Sequence, residues 1–225
     1  QLNALDTADV AAMGTSQIQS LSISQVASLS TDRVTALTSG QIQALTSTQV
    51  AGLTTGQVAS LTTSQVESLT TSQIQALGSS QIAAMSSDQI AAIQTADLAS
   101  LSTAQITGLT TSAIQSLTTA QVAGLGTAQV SALTNTQLNA LTSAQVQAIE
   151  TADVAALTTA QLVALGSDQI AALTSAQFAG LGNAQVQAIE ASDFAALLDN
   201  EPTYQLQTDR GLLQRVRQTV LVAAN

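Results

Sequence analysis

The chain has no cysteine, no histidine, no tryptophan and no lysine, and it holds one proline, one tyrosine and two phenylalanines in 225 residues. Without cysteine there is no disulfide and no thiolate ligand. Without histidine the commonest general base and metal ligand is gone. Aromatic residues make up 1% of the chain. Globular cores of this length normally draw bulk from aromatics, so their scarcity points to a thin core of one repeated cross-section. Charged residues are 8% of the total, against about 25% in ordinary domains. Ser, Thr, Gln and Asn must therefore solvate the surface.

Net charge is −10, and the only cations are Arg33, Arg210, Arg215 and Arg217. Nucleic-acid binding rests on cations that neutralise phosphates, so nucleic acid is not an expected partner. The same reasoning removes attraction to an anionic membrane. No apolar run of about 18 residues exists, so no membrane span is expected. Gln1 is not an initiator, which suggests a processed product or an excerpt.

What fills the chain is an octad. A large apolar residue recurs in eights from Leu5 through Met13 and Leu21 to Leu197, always Leu, Met or Ile. Taking that residue as position 1, position 6 runs from Val10 to Phe194 and is always Val, Ile, Leu or Phe. Position 8 is always Ala, Ser or Gly. Position 5 is mostly Gln, with Asp9, Arg33, Asp97, Ala113, Asp153 and Asp193 as exceptions. Positions 2 and 3 are mostly Thr, Ser or Gly, and position 7 is free. Such persistence is the mark of a repeat architecture. Residues 1–197 read as an octapeptide-repeat solenoid, and residues 198–225 as a non-repeat C-terminal cap or assembly segment. The stretches 125–157 and 165–197 match at an offset of 40, "VQAIE" included, as a duplication of five octads would leave them.

The large apolar residues are spaced three, then five, so strand alternation fails. A step of three, as from Val66 to Leu69, puts both side chains on one face of a helical turn. Thr62-Thr63-Ser64-Gln65 has the form of a capping box, with Leu61 and Val66 as its hydrophobic staple. A cap at position 3 is the alternative. It would make Gly78, Gly126, Gly166 and Gly182 left-handed closures of the preceding helix. The first reading is preferred for Thr units, and the second is kept for Gly units. Either way each octad is a helix of about six residues and a corner. A helix that short is unstable alone, so it must stack on neighbours through small residues at positions 4 and 8.

The expected fold is all-α, an α-solenoid of very short helices with two or three octads per coil. With layers about 9 Å apart, two per coil would give a rod on the order of 100 Å, and three about two-thirds of that. A β-solenoid is the alternative, since Thr, Val and Ile suit strands. Against it stand the Ala and Gln content and the scarcity of Gly and Pro at corners.

The tail breaks the pattern and carries the only Pro, the only Tyr and three of the four Arg. Its default role is to cover the last apolar face. A sharper role is assembly, with Tyr204, Arg210, Arg215 and Arg217 meeting the acidic repeat body of another molecule. It is also compatible with a type I secretion signal.

No catalytic, cofactor or metal site is expected. Asp9, Asp97, Asp153 and Asp193 read as Gln replacements that favour the helix dipole. The pairs Glu150/Asp153 and Glu190/Asp193 supply too few oxygens for Ca²⁺. No base stands ready to activate a serine. Arg33 reads as a tolerated surface substitution. The Thr pairs read as caps; as an ice-ordering array they vary too much from unit to unit.

The octad "LTTAQVAGL", Leu117 to Leu125, and its relatives over residues 3–197 resemble tracts of very large bacterial surface and secreted repeat proteins. That resemblance implies an adhesin-like, extracellular or cell-surface role under mechanical extension. Some such proteins carry a haem label, but axial ligands are nearly missing here. The opening Leu-Thr-x-x-Gln-Val is also similar to the first helix of TAL-effector repeats, whose basic, base-reading loops are absent. The expected function is thus non-enzymatic: a stalk, adhesin segment or filament subunit that self-associates or meets a cell-surface partner. The alternative is a binding module whose Thr/Gln face takes glycan, ice or a partner protein.

Overall fold

A computed structural model describes residues 6–189. They form 23 α-helices of five or six residues and no strand. The fold is an all-α solenoid of very short helices, and the β-solenoid is excluded over these residues. The chain divides into two compact units, residues 1–117 and 118–225. The expected boundary at 197/198 lies outside the described residues.

Each helix starts at position 3. In the octad of Leu61, Thr62 is the N-cap in an extended conformation. Its hydroxyl accepts from the Gln65 N–H at 3.2 Å, and Gln65 Oε1 accepts from the Thr62 N–H at 2.8 Å. Leu61 and Val66 bracket that box, and both are buried. The reading of Thr62 as cap therefore holds.

The reading kept for Gly units does not. Gly78, Gly126, Gly166 and Gly182 are themselves N-caps with extended backbone, and no described glycine has a positive φ. The reason lies in the corner. It consists of two successive extended residues, such as Leu61 (φ −57, ψ 138) and Thr62 (φ −72, ψ 158). Any L-residue adopts these angles, so no left-handed closure is needed. Glycine at position 2 simply omits the hydroxyl half of the box while its N–H still donates, as Gly78 does to Gln81 Oε1 at 2.7 Å.

In the first unit the helices stack on three faces. One face runs Thr15–Ser20, Ser39–Ala44, Thr63–Glu67, Ser87–Ala92, Thr111–Ser116. A second runs Thr7–Ala12, Thr31–Ala36, Thr55–Ser60, Ser79–Ala84, Thr103–Thr107. The third runs Ile23–Ala27, Ser47–Ala51, Thr71–Ala76, Thr95–Ala99. Successive members of a face begin 24 residues apart, so three octads make one coil. The second unit repeats the rule: Thr119–Ala123 packs on Ser143–Ala148 and that on Ser167–Ala172, while Thr127–Ala132 packs on Thr151–Ala155 and that on Ser175–Gly180. Of the two coil sizes left open by the sequence, the larger is the one formed.

The core of each unit is the seam of positions 6 and 1. Position 6 is at most 2% exposed from Val10 to Val186. Position 1 is at most 6% exposed from Leu29 onward in the first unit, and likewise from Leu125 to Ile189 in the second. Position 8 must be small because it sits on the backbone of the coil below. A Cβ added to Gly108 would stand 3.0 Å from the carbonyl oxygen of Ser79 and 3.1 Å from its Cβ. Serine at position 8 fits as well, since its hydroxyl folds back onto its own helix. Ser68 Oγ donates to the carbonyl of Gln65 at 2.7 Å.

Candidate functional site

The most organised polar feature is the glutamine of position 5. Both ends of its side-chain amide are engaged. Gln41 Oε1 accepts from the Thr38 N–H at 2.7 Å, closing its own cap. Its Nε2 donates to the carbonyls of Val10 at 2.9 Å and Met13 at 2.7 Å, which lie 31 and 28 residues earlier. The same spacing recurs for Gln65 with Val34 and Leu37, Gln73 with Ile42 and Leu45, and Gln105 with Ile74 and Leu77. In the second unit Gln177 takes Val146 and Ile149.

The acceptors lie at the C-terminal end of a helix in the coil below, one in its last turn (Val10) and one at its C-cap (Met13). The Val10 carbonyl also takes the Met13 N–H at 3.2 Å, so the Met13 carbonyl is the one that depends on the amide, and left buried and unpaired it would cost about 1–3 kcal/mol. Glutamine thus starts one helix and closes another. Gln41, Gln57 and Gln73 are each 2% exposed. The sequence reading assigned them the capping role only. The missed signal is that position 5 never holds Glu, although Glu completes a capping box as well as Gln does. Of the two, only the amide accepts and donates at once.

The exceptions at position 5 use other bonds. Asp97 is buried and accepts from Thr71 Oγ1 at 2.6 Å, 26 residues earlier. Asp153 is buried and accepts from Thr127 Oγ1 at the same offset. Their N-caps, Gln94 and Glu150, make no side-chain cap bond. Gln94 Nε2 instead donates to the carbonyl of Glu67 at 3.0 Å in the coil below. The expected dipole role is thus joined by a hydrogen bond between coils. Arg33 is half-buried, and its Nη1 donates to Ser30 Oγ at 2.8 Å, so it is more than a loose surface group. Ala113 keeps the Thr110 cap and makes no clamp of its own.

Thr hydroxyls at position 2 act as caps throughout, from Thr38 to Thr174. An open groove in the first unit is lined by Gln75, Leu77, Gly78, Ser79, Ser100, Ser102 and Gln105. Among the described residues no three His, Cys, Asp or Glu side chains gather where a metal ion could sit. No described helix is long and apolar enough to cross a membrane. Asp193, Glu190 and the expected assembly residues Tyr204, Arg210, Arg215 and Arg217 lie outside the described residues.

Capped octads, three to a coil and tied by position-5 amides, define a class of short-helix repeat solenoids. The chain belongs to the ALTTAQ repeat family, whose model matches residues 2–39, 34–63, 63–93, 90–127 and 146–183. No curated protein matches the chain.

Proposed function

We propose that the chain is a non-enzymatic structural segment of an extracellular or cell-surface protein, bacterial and adhesin-like, that self-associates or meets a surface partner. The supporting observation is the employment of its polar groups. Position-2 hydroxyls and position-5 amides are consumed by caps and by bonds between coils, so the side chains that recur most serve the scaffold. The resemblance of Leu117–Leu125 to surface repeat tracts points the same way. Nucleic acid is not among the partners this reading assigns, and no cofactor is required by it.

The mechanical role is tested by stretching single molecules from end to end. Each coil contacts its neighbours alone, so extension should proceed in small steps. Releasing one coil of 24 residues adds about 80 Å of contour. A single rupture of the whole chain would contradict the reading.

The groove between Gln75 and Gln105 favours a second reading, a module that binds a hydroxylated ligand such as a glycan. Binding on a glycan array that is lost in Ser100→Leu would support it. A blank array would remove it.

A further inference from the structure

The amide clamps are not spread evenly along the first unit. In every octad from Gln41 to Gln89 the glutamine Nε2 donates to a carbonyl 28 residues earlier, at 2.6–2.8 Å. The next position-5 residues are Asp97, Gln105 and Ala113. Of these only Gln105 makes the bond, to Leu77 at 2.8 Å. The coil of residues 37–60 is thus fastened to the coil below by three clamps, and so is the coil of residues 61–84. The coil of residues 93–116 is fastened by one.

The carbonyls that Asp97 and Ala113 would meet at that offset are those of Leu69 and Met85. These residues are 3% and 5% exposed, and neither carbonyl meets a donor among the described residues. A carboxylate only accepts, so Asp97 supplies no donor to Leu69. Its octad has substitutes: Thr71 Oγ1 donates to Asp97 at 2.6 Å, and Gln94 Nε2 donates to the carbonyl of Glu67 at 3.0 Å. Neither bond reaches Leu69. The Ala113 side chain has no polar atom to offer Met85. The apolar seam continues unbroken across this joint, with Leu98, Ile106 and Ile114 at most 1% exposed. The joint is therefore as well packed as its neighbours and less firmly tied.

We propose that the joint between residues 69–92 and 93–116 is a release point, opening before the joints beneath residues 37–60 and 61–84. In a stack where each coil touches only its neighbours, stability adds joint by joint. A weakly tied joint then opens locally while the rest stays closed. Under load this joint yields first and sets the force at which extension begins. That last role rests on the mechanical reading above; the opening in solution does not.

The test is amide hydrogen exchange of the full chain, read by mass spectrometry on peptides from the two regions. Amides of residues 93–116 should exchange faster than those of residues 37–60 by about tenfold, the ratio that one unmade buried bond implies. Ala113→Gln should give Met85 its clamp, and Gln94→Thr with Asp97→Gln should give Leu69 its clamp. Each repair should slow exchange in 93–116 by about fivefold and leave 37–60 unchanged. The repairs lie in different octads, so a side chain that fits badly in one leaves the other as the test. Gln105→Ala should act in the opposite direction, speeding exchange in 93–116 and not in 37–60. Equal exchange in the two wild-type coils, or repairs that both leave 93–116 unchanged, would overturn the release point and leave the mechanical reading standing. Fast exchange in 93–116 beside a single rupture under load would do the reverse.

Discussion

Gln65 Nε2 donates to the carbonyl of Leu37 at 2.7 Å, across 28 residues of sequence. It also reaches the carbonyl of Val34 at 2.9 Å, while its Oε1 holds the Thr62 N–H. Gln65→Ala removes these bonds and strands the Leu37 carbonyl, while that of Val34 keeps the Leu37 N–H at 3.2 Å, a loss of about 1–3 kcal/mol. Gln65→Glu keeps the cap but sets a carboxylate against two carbonyl oxygens, so at neutral pH it should be the more damaging change. Burial beside those oxygens raises the carboxyl pKa of the introduced acid in the folded state. Its protonated form is the one the fold tolerates, so the deficit should shrink as pH falls through the carboxylate range and be largest above it. Urea melts at neutral and acid pH check both statements.

Thr71→Val should destabilise the first unit by about 1–3 kcal/mol, because it leaves the buried Asp97 carboxylate without the hydroxyl that donates to it. The paired change Gln94→Thr with Asp97→Gln rebuilds the common octad and should exceed the sum of the two single changes. A double-mutant cycle by denaturant melts measures that coupling.

Ile23 replaces the usual hydroxyl at position 3, and the residue above it is Gly52. A Cβ on Gly52 would lie 2.2 Å from Ile23 Cγ2. Gly52 has ordinary right-handed angles, φ −83 and ψ −5, so alanine suits its backbone and should gain about 0.5–1 kcal/mol if space existed. Gly52→Ala is therefore expected to destabilise the wild-type chain but to stabilise the chain carrying Ile23→Ser. Thermal melts of the four forms would show the change of sign.

Ala113→Gln supplies the amide that its octad lacks. The carbonyls at the established offsets of 31 and 28 are those of Ile82 and Met85. A rise in stability of about 1 kcal/mol is expected, with slower amide exchange around residues 82–85. A fall in stability would mean the offset rule fails where it is not already in use.

The legible parts of the fold are the local ones. Thr62, Gln65, Leu61 and Val66 lie within five residues of one another, so the box and staple that start the helix are written in order along the chain. The size of the coil is not, because the octads are nearly alike and carry no mark of period 24. The second role of Gln65 depends on Val34 and Leu37, whose nearness exists only once three octads close a coil. The left-handed reading of Gly78 failed because two extended residues make the corner unaided. The buried state of Asp97 was hidden because Thr71, its partner, resembles most other position-3 residues.

Three octads per coil is the claim on which the clamps and the buried aspartates both depend. The chain has no cysteine, so an introduced pair reports proximity without background. A Cβ on Gly108 would stand 3.1 Å from Ser79 Cβ, near the 3.5–4.5 Å range typical of a disulfide. Ser79→Cys with Gly108→Cys should close under mild oxidation in the folded chain and open in denaturant with reductant. Ser87→Cys with Gly108→Cys has the spacing a two-octad coil would bring together, and it should stay reduced. Closure of the second pair and not the first would contradict the three-octad coil.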